Sequence, residues 1–398
     1  MLRIPVNERP DLMRIASEHG LEYSAGTGTG TSTGDGDGIT GWDESAYYQF
    51  TLRQIEEDLE APAEELEGMC MEVVDRAVTT ESVLQRLEIP EHFWDYIAES
   101  WRSGEKNLYG RMDLSYDGKG PAKLLEYNAD TPTALYETAV FQWEWFEQTT
   151  EMGLVPKGGD QLNDVHESIV DAFPLLGIEG VAHFACNNDI EDDKGTLQYL
   201  EECAQEAGVE TCFLAMEEIG LNDHGQLTDL EDRAIRTLFK LYPWEWIMAE
   251  EFGAEVPNCG ARFIEPPWKA ILSNKGLMPL LWGMFENHPN LLPAYFEDDP
   301  AAAELIDTGS YVRKPMLSRQ GANIKIVQDG QTHFESDGPY SEDKHIIQGF
   351  QSLPEFEGRF PLVGCWLVAS KAVGLCIRED KTLVTGKDSR CVPHVIAG

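Results

Sequence analysis

Basic residues are scarce in this chain. Thirty lysines and arginines stand against 71 aspartates and glutamates, giving a formal net charge of −41 over 398 residues. So few cations leave no basic face for a phosphate backbone, which excludes general DNA or RNA binding. No run of about 18 apolar residues occurs, which excludes a membrane-spanning helix. The opening stretch "MLRIPVNERPDLMRIASEHG" lacks the apolar block of a secretory signal. None of the eight cysteines lies in a CxxC pair, so no zinc site or dithiol redox motif is indicated. They are expected to be reduced thiols of a cytoplasmic protein. No repeat of about 20–50 residues recurs, so the chain is not a solenoid.

At 42% hydrophobic residues the chain can bury a sizeable core, and its length predicts two or three packed units. The acids are spread along the sequence, not blocked. That fits solvation in a salt-rich medium better than a docking field for a cationic partner. The tract "SAGTGTGTSTGDGDGITG", residues 24–41, has no apolar residue before Ile39 and is expected to be a mobile loop. It is not a phosphate loop: no apolar strand enters it, no Gly-Lys-Ser/Thr closes it, and its aspartates repel phosphate.

Residues 44–104 show apolar spacing of three and four and are expected to be helical, as is "ALYETAVFQWEWFEQ" further on. Between 178 and 248 the pattern becomes strand ("GVAHFAC"), helix ("DKGTLQYLEECAQEAG"), strand ("VETCFLA") and a third apolar segment. This predicts a small Rossmann-like unit. It lacks GxGxxG at its first turn, so a dinucleotide is not expected. From residue 310 onward β segments return: "SYVRKP", "ANIKIVQDGQTHF", "HIIQGF", "FPLVGCWLVAS", "AVGLCIRED" and "TLVTG".

The segment "YGRMDLSYDGKGPAKLLEYNADTPT", residues 109–133, reads as a hairpin. With Gly118–Pro121 as its loop, Asp113 falls opposite Glu126 and Arg111 opposite Asn128, and alternation puts all four on one face. Two carboxylates about 5 Å apart repel by roughly 3 kcal/mol at an effective dielectric near 20. A sheet gains nothing from that pairing unless a divalent cation sits between the acids. Two carboxylates and an amide are oxygen ligands that suit Mg²⁺. Arg111 adds a fixed charge for a transferring phosphoryl group. Asp130, Thr131 and Thr133, just beyond the strand, are candidates to touch substrate. The competing reading is a solvent-facing hairpin whose arginine screens its acids. A triphosphate needs further cations, and in so acidic a chain the candidates are few: Lys275, Lys314, Arg319 and Arg378, with Gly321 in a loop where backbone N–H groups can approach phosphate.

The hairpin sequence, "LFKLYPWEW", "EPPWKAILSNKGLMPLLWGMFENHPNLLPAYF", "YVRKPMLSRQGANI" and "GLCIREDKTLVTGKDSRCVPH" resemble the glutathionylspermidine synthase family, most closely its single-domain acid–amine ligases, in order and over nearly the whole chain. The resemblance implies an α/β (α+β) ATP-grasp fold with a Rossmann-like pre-ATP-grasp domain. It implies Mg²⁺-ATP-dependent amide formation through an acyl phosphate. Asp113, Glu126 and Asn128 would hold two Mg²⁺ ions. Arg111 would be catalytic, with Met112 beside it at the nucleotide. Lys275, Lys314, Gly321, Gln348 and the run Leu383, Val384 and Thr385 would surround ATP. Thr131, Thr133, Arg319 and Arg378 are the substrate-side candidates. The partners would be a small carboxylate and an amine, a peptide and a polyamine among them. Departures are the missing amidase domain, an inserted stretch at 25–38, and Trp246 where the synthases carry threonine. The acid and amine therefore stay open.

The expected division is a helical segment with the metal-binding hairpin (1–150), a pre-ATP-grasp-like unit (151–262) and a nucleotide-binding region (263–398). The expected function is carbon–nitrogen ligation. The alternatives are a nucleotide-binding sensor or assembly protein without turnover, and an ATP-dependent modifier of a partner protein.

Overall fold

In a computed structural model, residues 1–19, 23–24, 38–39, 41–386 and 389–397 are described. The tract expected to be a mobile loop lies, over 25–37 and 40, outside the described residues. Four sheets of three or more strands, with helices packed around them, form the frame among the described residues.

The Rossmann-like expectation holds. Val181–Cys186, helix Glu191–Glu206, Glu210–Ala215 and Thr237–Leu241 form parallel β units, and Arg262–Ile264 adds a fourth parallel strand. No periodicity in the sequence marks that short last strand. Five antiparallel strands make a second sheet, in the order Ala294–Phe296, His345–Gly349, Tyr311–Pro315, Lys325–Gln328, Gln331–Glu335. Asp329 and Gly330, both at positive φ, form the expected Asp-Gly turn. A third sheet, also antiparallel, runs Arg390–Val392, Lys371–Asp380, Phe360–Val368, Tyr109–Ser115, Lys123–Asn128. It joins the hairpin to strands some 250 residues later, and it carries the candidate site.

Two expectations fail locally. Ala46–Thr51, read as helical, is a strand between Leu2–Pro5 and His394–Ala397. Its aromatics are buried on both faces, so spacing alone does not reveal its period. Helix begins only at Leu52, where Thr51 and Gln54 form a capping box. The segment "TLVTG" is not a strand. Asp380 accepts the backbone N–H groups of Thr382 at 3.0 Å and Gly386 at 3.1 Å, bonds that compete with a ladder.

The strand His394–Ala397 is also tied down by a buried histidine. His394 Nδ1 donates to Gln142 Oε1 at 2.8 Å, and Nε2 accepts from the Leu162 N–H at 3.1 Å. Both nitrogens are used by the neutral ring, and burial pushes its pKa down to about 3 from an ordinary 6.5. The unfolded chain then takes up this proton first as the pH falls. Stability is therefore complete above pH 6.5 and declines toward the folded value. We expect a loss of roughly 2 kcal/mol on going to about pH 5 from this group alone. Urea unfolding at the two pH values checks it; a His394→Gln variant with the same acid slope would refute the assignment.

Candidate active site

The hairpin register is the one the sequence predicts at the place that matters. Arg111 pairs with Asn128, Met112 with Tyr127 and Asp113 with Glu126. Toward the turn the register slips by one, Leu114 facing Leu124, so Leu125 is an extra residue. Arg111, Asp113, Glu126 and Asn128 share a face. Met112 does not: its side chain is fully buried in the core on the opposite side, and only its backbone can reach a nucleotide.

Asp113 is the hub. Arg111 grips it with Nε at 2.7 Å and Nη2 at 3.2 Å, Asn128 Nδ2 donates at 3.0 Å, and Arg378 Nη2 at 2.5 Å. Arg111 also donates to the Thr133 carbonyl and lies 5.7 Å from the Trp366 ring centre. Room for it comes from Gly364 on the next strand, where a β-carbon would stand 2.7 Å from Arg111 Cδ. A side chain at that position would push the guanidinium off Asp113.

Glu126 is ringed by cations. Lys275 Nζ lies 3.4 Å from its Oε2. Burial pushes the Glu126 carboxyl up, but Lys275, Lys314, Arg378 and Arg111 outweigh it and hold it at about 2. Lys314 reaches across from the second sheet, donating to the Leu125 carbonyl at 3.2 Å and Gln348 Oε1 at 2.8 Å. Burial, partly offset by Glu126, brings the Lys314 amine down to about 8. Gln348 Nε2 in turn donates to the Leu124 carbonyl at 3.4 Å. These bonds fasten the second sheet to the hairpin's outer strand. Gly321, at positive φ, packs on Val384 and Thr385, and a β-carbon there would meet Val384 Cγ1 at 2.6 Å.

Not all the candidates converge on this face. Thr131 and Arg319 form a second group: Arg319 donates to Thr131 Oγ1, pairs with Glu245 Oε1 at 3.3 Å and lies over Trp246. Glu245 is a partner that sequence reasoning missed, although "PWEW" contains it. Asp130, read as a possible substrate contact, is instead buried. It accepts from Lys240 Nζ at 2.6 Å and the Trp244 N–H at 2.8 Å, bracing the start of the helix Trp244–Ala249. A further polar cluster, His183, Cys212 and Asp229, lies away in the parallel sheet with ligand atoms within 4.8 Å of one another. There Arg233 Nε already donates to Asp229 at 2.7 Å and two backbone N–H groups fill its other oxygen, so the cluster is an ion-paired network.

The oxygens on the hairpin face suit a hard divalent cation. Among the described residues Asp113 Oδ1 accepts only from Arg111, which leaves it a lone pair, and the Glu126 side chain is 29% exposed. Two carboxylates inside a ring of four cations leave a local surplus of two positive charges, in a chain of net −41.

Family and relatives together define the class, an ATP-dependent carbon–nitrogen ligase of the ATP-grasp type. The family model described as glutathionylspermidine synthase preATP-grasp matches residues 3–397. The chain belongs to that family. It is 36% identical over 397 residues to a Haemophilus influenzae protein named "Putative acid--amine ligase", covering 97% of each. It is 28% identical to the bifunctional glutathionylspermidine synthetase/amidase of Escherichia coli, covering 89% of this chain and 60% of that one. It is also 28% identical to trypanothione synthetase of Crithidia fasciculata, covering 86% and 54%. The chain thus spans little more than half the length of those two synthetases. Among solved structures, a glutathione synthetase-like effector from Globodera pallida, in apo form, has the same fold over the whole of both chains (TM-score 0.59, 11% identity). No described helix is long and apolar enough to cross a membrane.

Proposed function

We propose that this protein joins a small carboxylate to an amine at the expense of ATP, through an acyl phosphate, with two Mg²⁺ ions. The observation that carries the reading is the ring of Lys275, Lys314, Arg378 and Arg111 around Glu126 and Asp113. A polyphosphate is the ligand class that satisfies such a surplus of fixed cations.

Asp113, Glu126 and Asn128 would hold the two metal ions. A metal held there would supply charge neutralisation of the phosphate oxygens and alignment of the γ-phosphoryl group. Lys275 and Lys314, which both act on Glu126, would bind the triphosphate beside the hairpin's outer strand. Gly321 brings its backbone N–H to the phosphates, and Gln348 with Leu383, Val384 and Thr385 lines the nucleotide. Arg111, fixed on Asp113, faces the charge that moves during transfer from ATP to the carboxylate. The amine then attacks the acyl phosphate, the C–N bond forms, and phosphate leaves. Thr131, Thr133, Arg319 and Arg378 would touch the acyl substrate. Residues 263–398 act with the hairpin of 1–150 on the nucleotide, and 151–262 is the pre-ATP-grasp-like unit. Peptide and polyamine are the substrate classes offered by the relatives' names. The compartment proposed is the cytoplasm.

The test is ADP release in the presence of Mg²⁺-ATP with pools of carboxylic acids and amines, followed by mass spectrometry for condensation products. Turnover that requires both pools is the expected result. Turnover only with an added protein would mean a protein modifier, and binding without turnover a sensor.

A further inference from the structure

Two thiols lie on the same sheet face as the site's cations, and the reaction above uses neither. Cys376 is in Lys371–Asp380 and Cys391 in the neighbouring strand Arg390–Val392. Cys391 stands directly opposite Arg378, and Cys376 precedes Arg378 by two residues, so the three side chains share a face. Through Gly364, Cys376 also falls in the cross-strand row of Asp113. The two sulfurs are 3.1 Å apart and both residues are buried. A disulfide requires about 2.05 Å, so about 1 Å of closure is needed.

The surroundings favour a reactive sulfur. The Cys391 thiol hydrogen-bonds to Cys376, and with Arg111 and Arg378 it outweighs burial and holds the Cys376 thiol below its ordinary range. Arg378 Nε is buried with no partner among the described residues, so the guanidinium has a donor to spare beside the pair. The connection between these strands carries Leu383, Val384 and Thr385, and Val384 packs against Gly321.

We propose that Cys376 and Cys391 are a reversible oxidation site, at which hydrogen peroxide forms a disulfide that fixes the connection bearing Leu383–Thr385 and draws Arg378 off Asp113. The chemistry balances without a cofactor. The Cys376 thiolate attacks one peroxide oxygen, the O–O bond breaks, and the departing hydroxide takes a proton to become water. Cys391 then attacks the sulfenic sulfur; the S–S bond forms, the S–O bond breaks, and the hydroxyl leaves with the Cys391 proton as a second water. Two thiols are oxidised and one peroxide is reduced. A thiol reductant restores the pair by exchange. Only the effect on nucleotide affinity rests on the proposed function.

The experiment treats the reduced full chain with hydrogen peroxide, alkylates the remaining thiols, and maps peptides by mass. Hydrogen exchange over residues 381–386 and the Mg²⁺-ATP dissociation constant are measured before and after. The expected result is a Cys376–Cys391 linkage, slower exchange in that segment and an affinity about tenfold weaker, all reversed by dithiothreitol. Cys391→Ser should bind Mg²⁺-ATP like the reduced protein and, with peroxide, stop at a Cys376 sulfenic acid that forms no linkage and does not slow exchange over 381–386; Cys376→Ala, which removes the attacking thiolate, is the alternative if the serine variant does not fold. Both cysteines remaining alkylatable, linkage to another cysteine, or a linkage that changes neither exchange nor affinity would overturn the proposal. If the reduced protein binds no Mg²⁺-ATP, the nucleotide reading fails, and the linkage and exchange decide this one.

Discussion

Arg111→Ala is expected to slow ADP release about a thousandfold while Mg²⁺-ATP binding stays measurable. The side chain is buried, holds Asp113 through two bonds and faces the point where charge moves. Its loss leaves Lys275 and Lys314 in place, so ground-state nucleotide binding suffers less than transfer. Asp113 would keep Arg378 and Asn128, which limits the cost of the broken pair to about 3 kcal/mol, the low end for a buried ion pair. Arg111→Lys separates charge from geometry: a point charge on a flexible stem cannot reproduce the planar fork. It should recover folding stability but little of the rate. Unchanged turnover in either variant would remove Arg111 from the mechanism.

The second large effect is expected at Glu126. Glu126→Ala removes the anion on which four cations converge. Two consequences run in opposite directions. Affinity for ATP in the presence of Mg²⁺ should fall about a hundredfold, because a charged ligand is lost. Affinity for metal-free ATP should rise, because Lys275, Lys314, Arg378 and Arg111 then face the nucleotide without a competing carboxylate. Asn128→Ala, which removes a neutral ligand, should weaken Mg²⁺-ATP binding only several-fold. Titration calorimetry with and without Mg²⁺ reads both signs. Equal losses in the two variants, or a fall in metal-free affinity in Glu126→Ala, would argue against a metal held at Glu126.

Much of this face is legible before any coordinates. Alternation along two short strands and a guessed turn are enough to place Asp113 opposite Glu126, because the sheet's period of two leaves no freedom once the register is chosen. The extra residue at Leu125 is not legible. It depends on the bonds that the outer strand makes with Lys314 and Gln348, which belong to another sheet. Arg378 appears in the sequence only as a cation ending a strand; its bond to Asp113 joins residues 265 positions apart. Lys240 and Asp130, 110 positions apart, are hidden for the same reason, each looking like an ordinary surface charge until the fold buries both. The strand Ala46–Thr51 has helix-like spacing in the sequence, and its partners come from opposite ends of the described chain, so no local pattern announces them.

A site that is positive inside a molecule carrying −41 has a kinetic side. An incoming polyanion is repelled at long range by the molecule as a whole and attracted only once it is close to the arginines and lysines. Dissolved ions damp the distant repulsion, acting over about 10 Å at 0.1 M, more than they damp the short-range attraction of sheltered charges. Added electrolyte should therefore hasten the encounter with nucleotide, the reverse of what an evenly charged or basic nucleotide-binding surface would do.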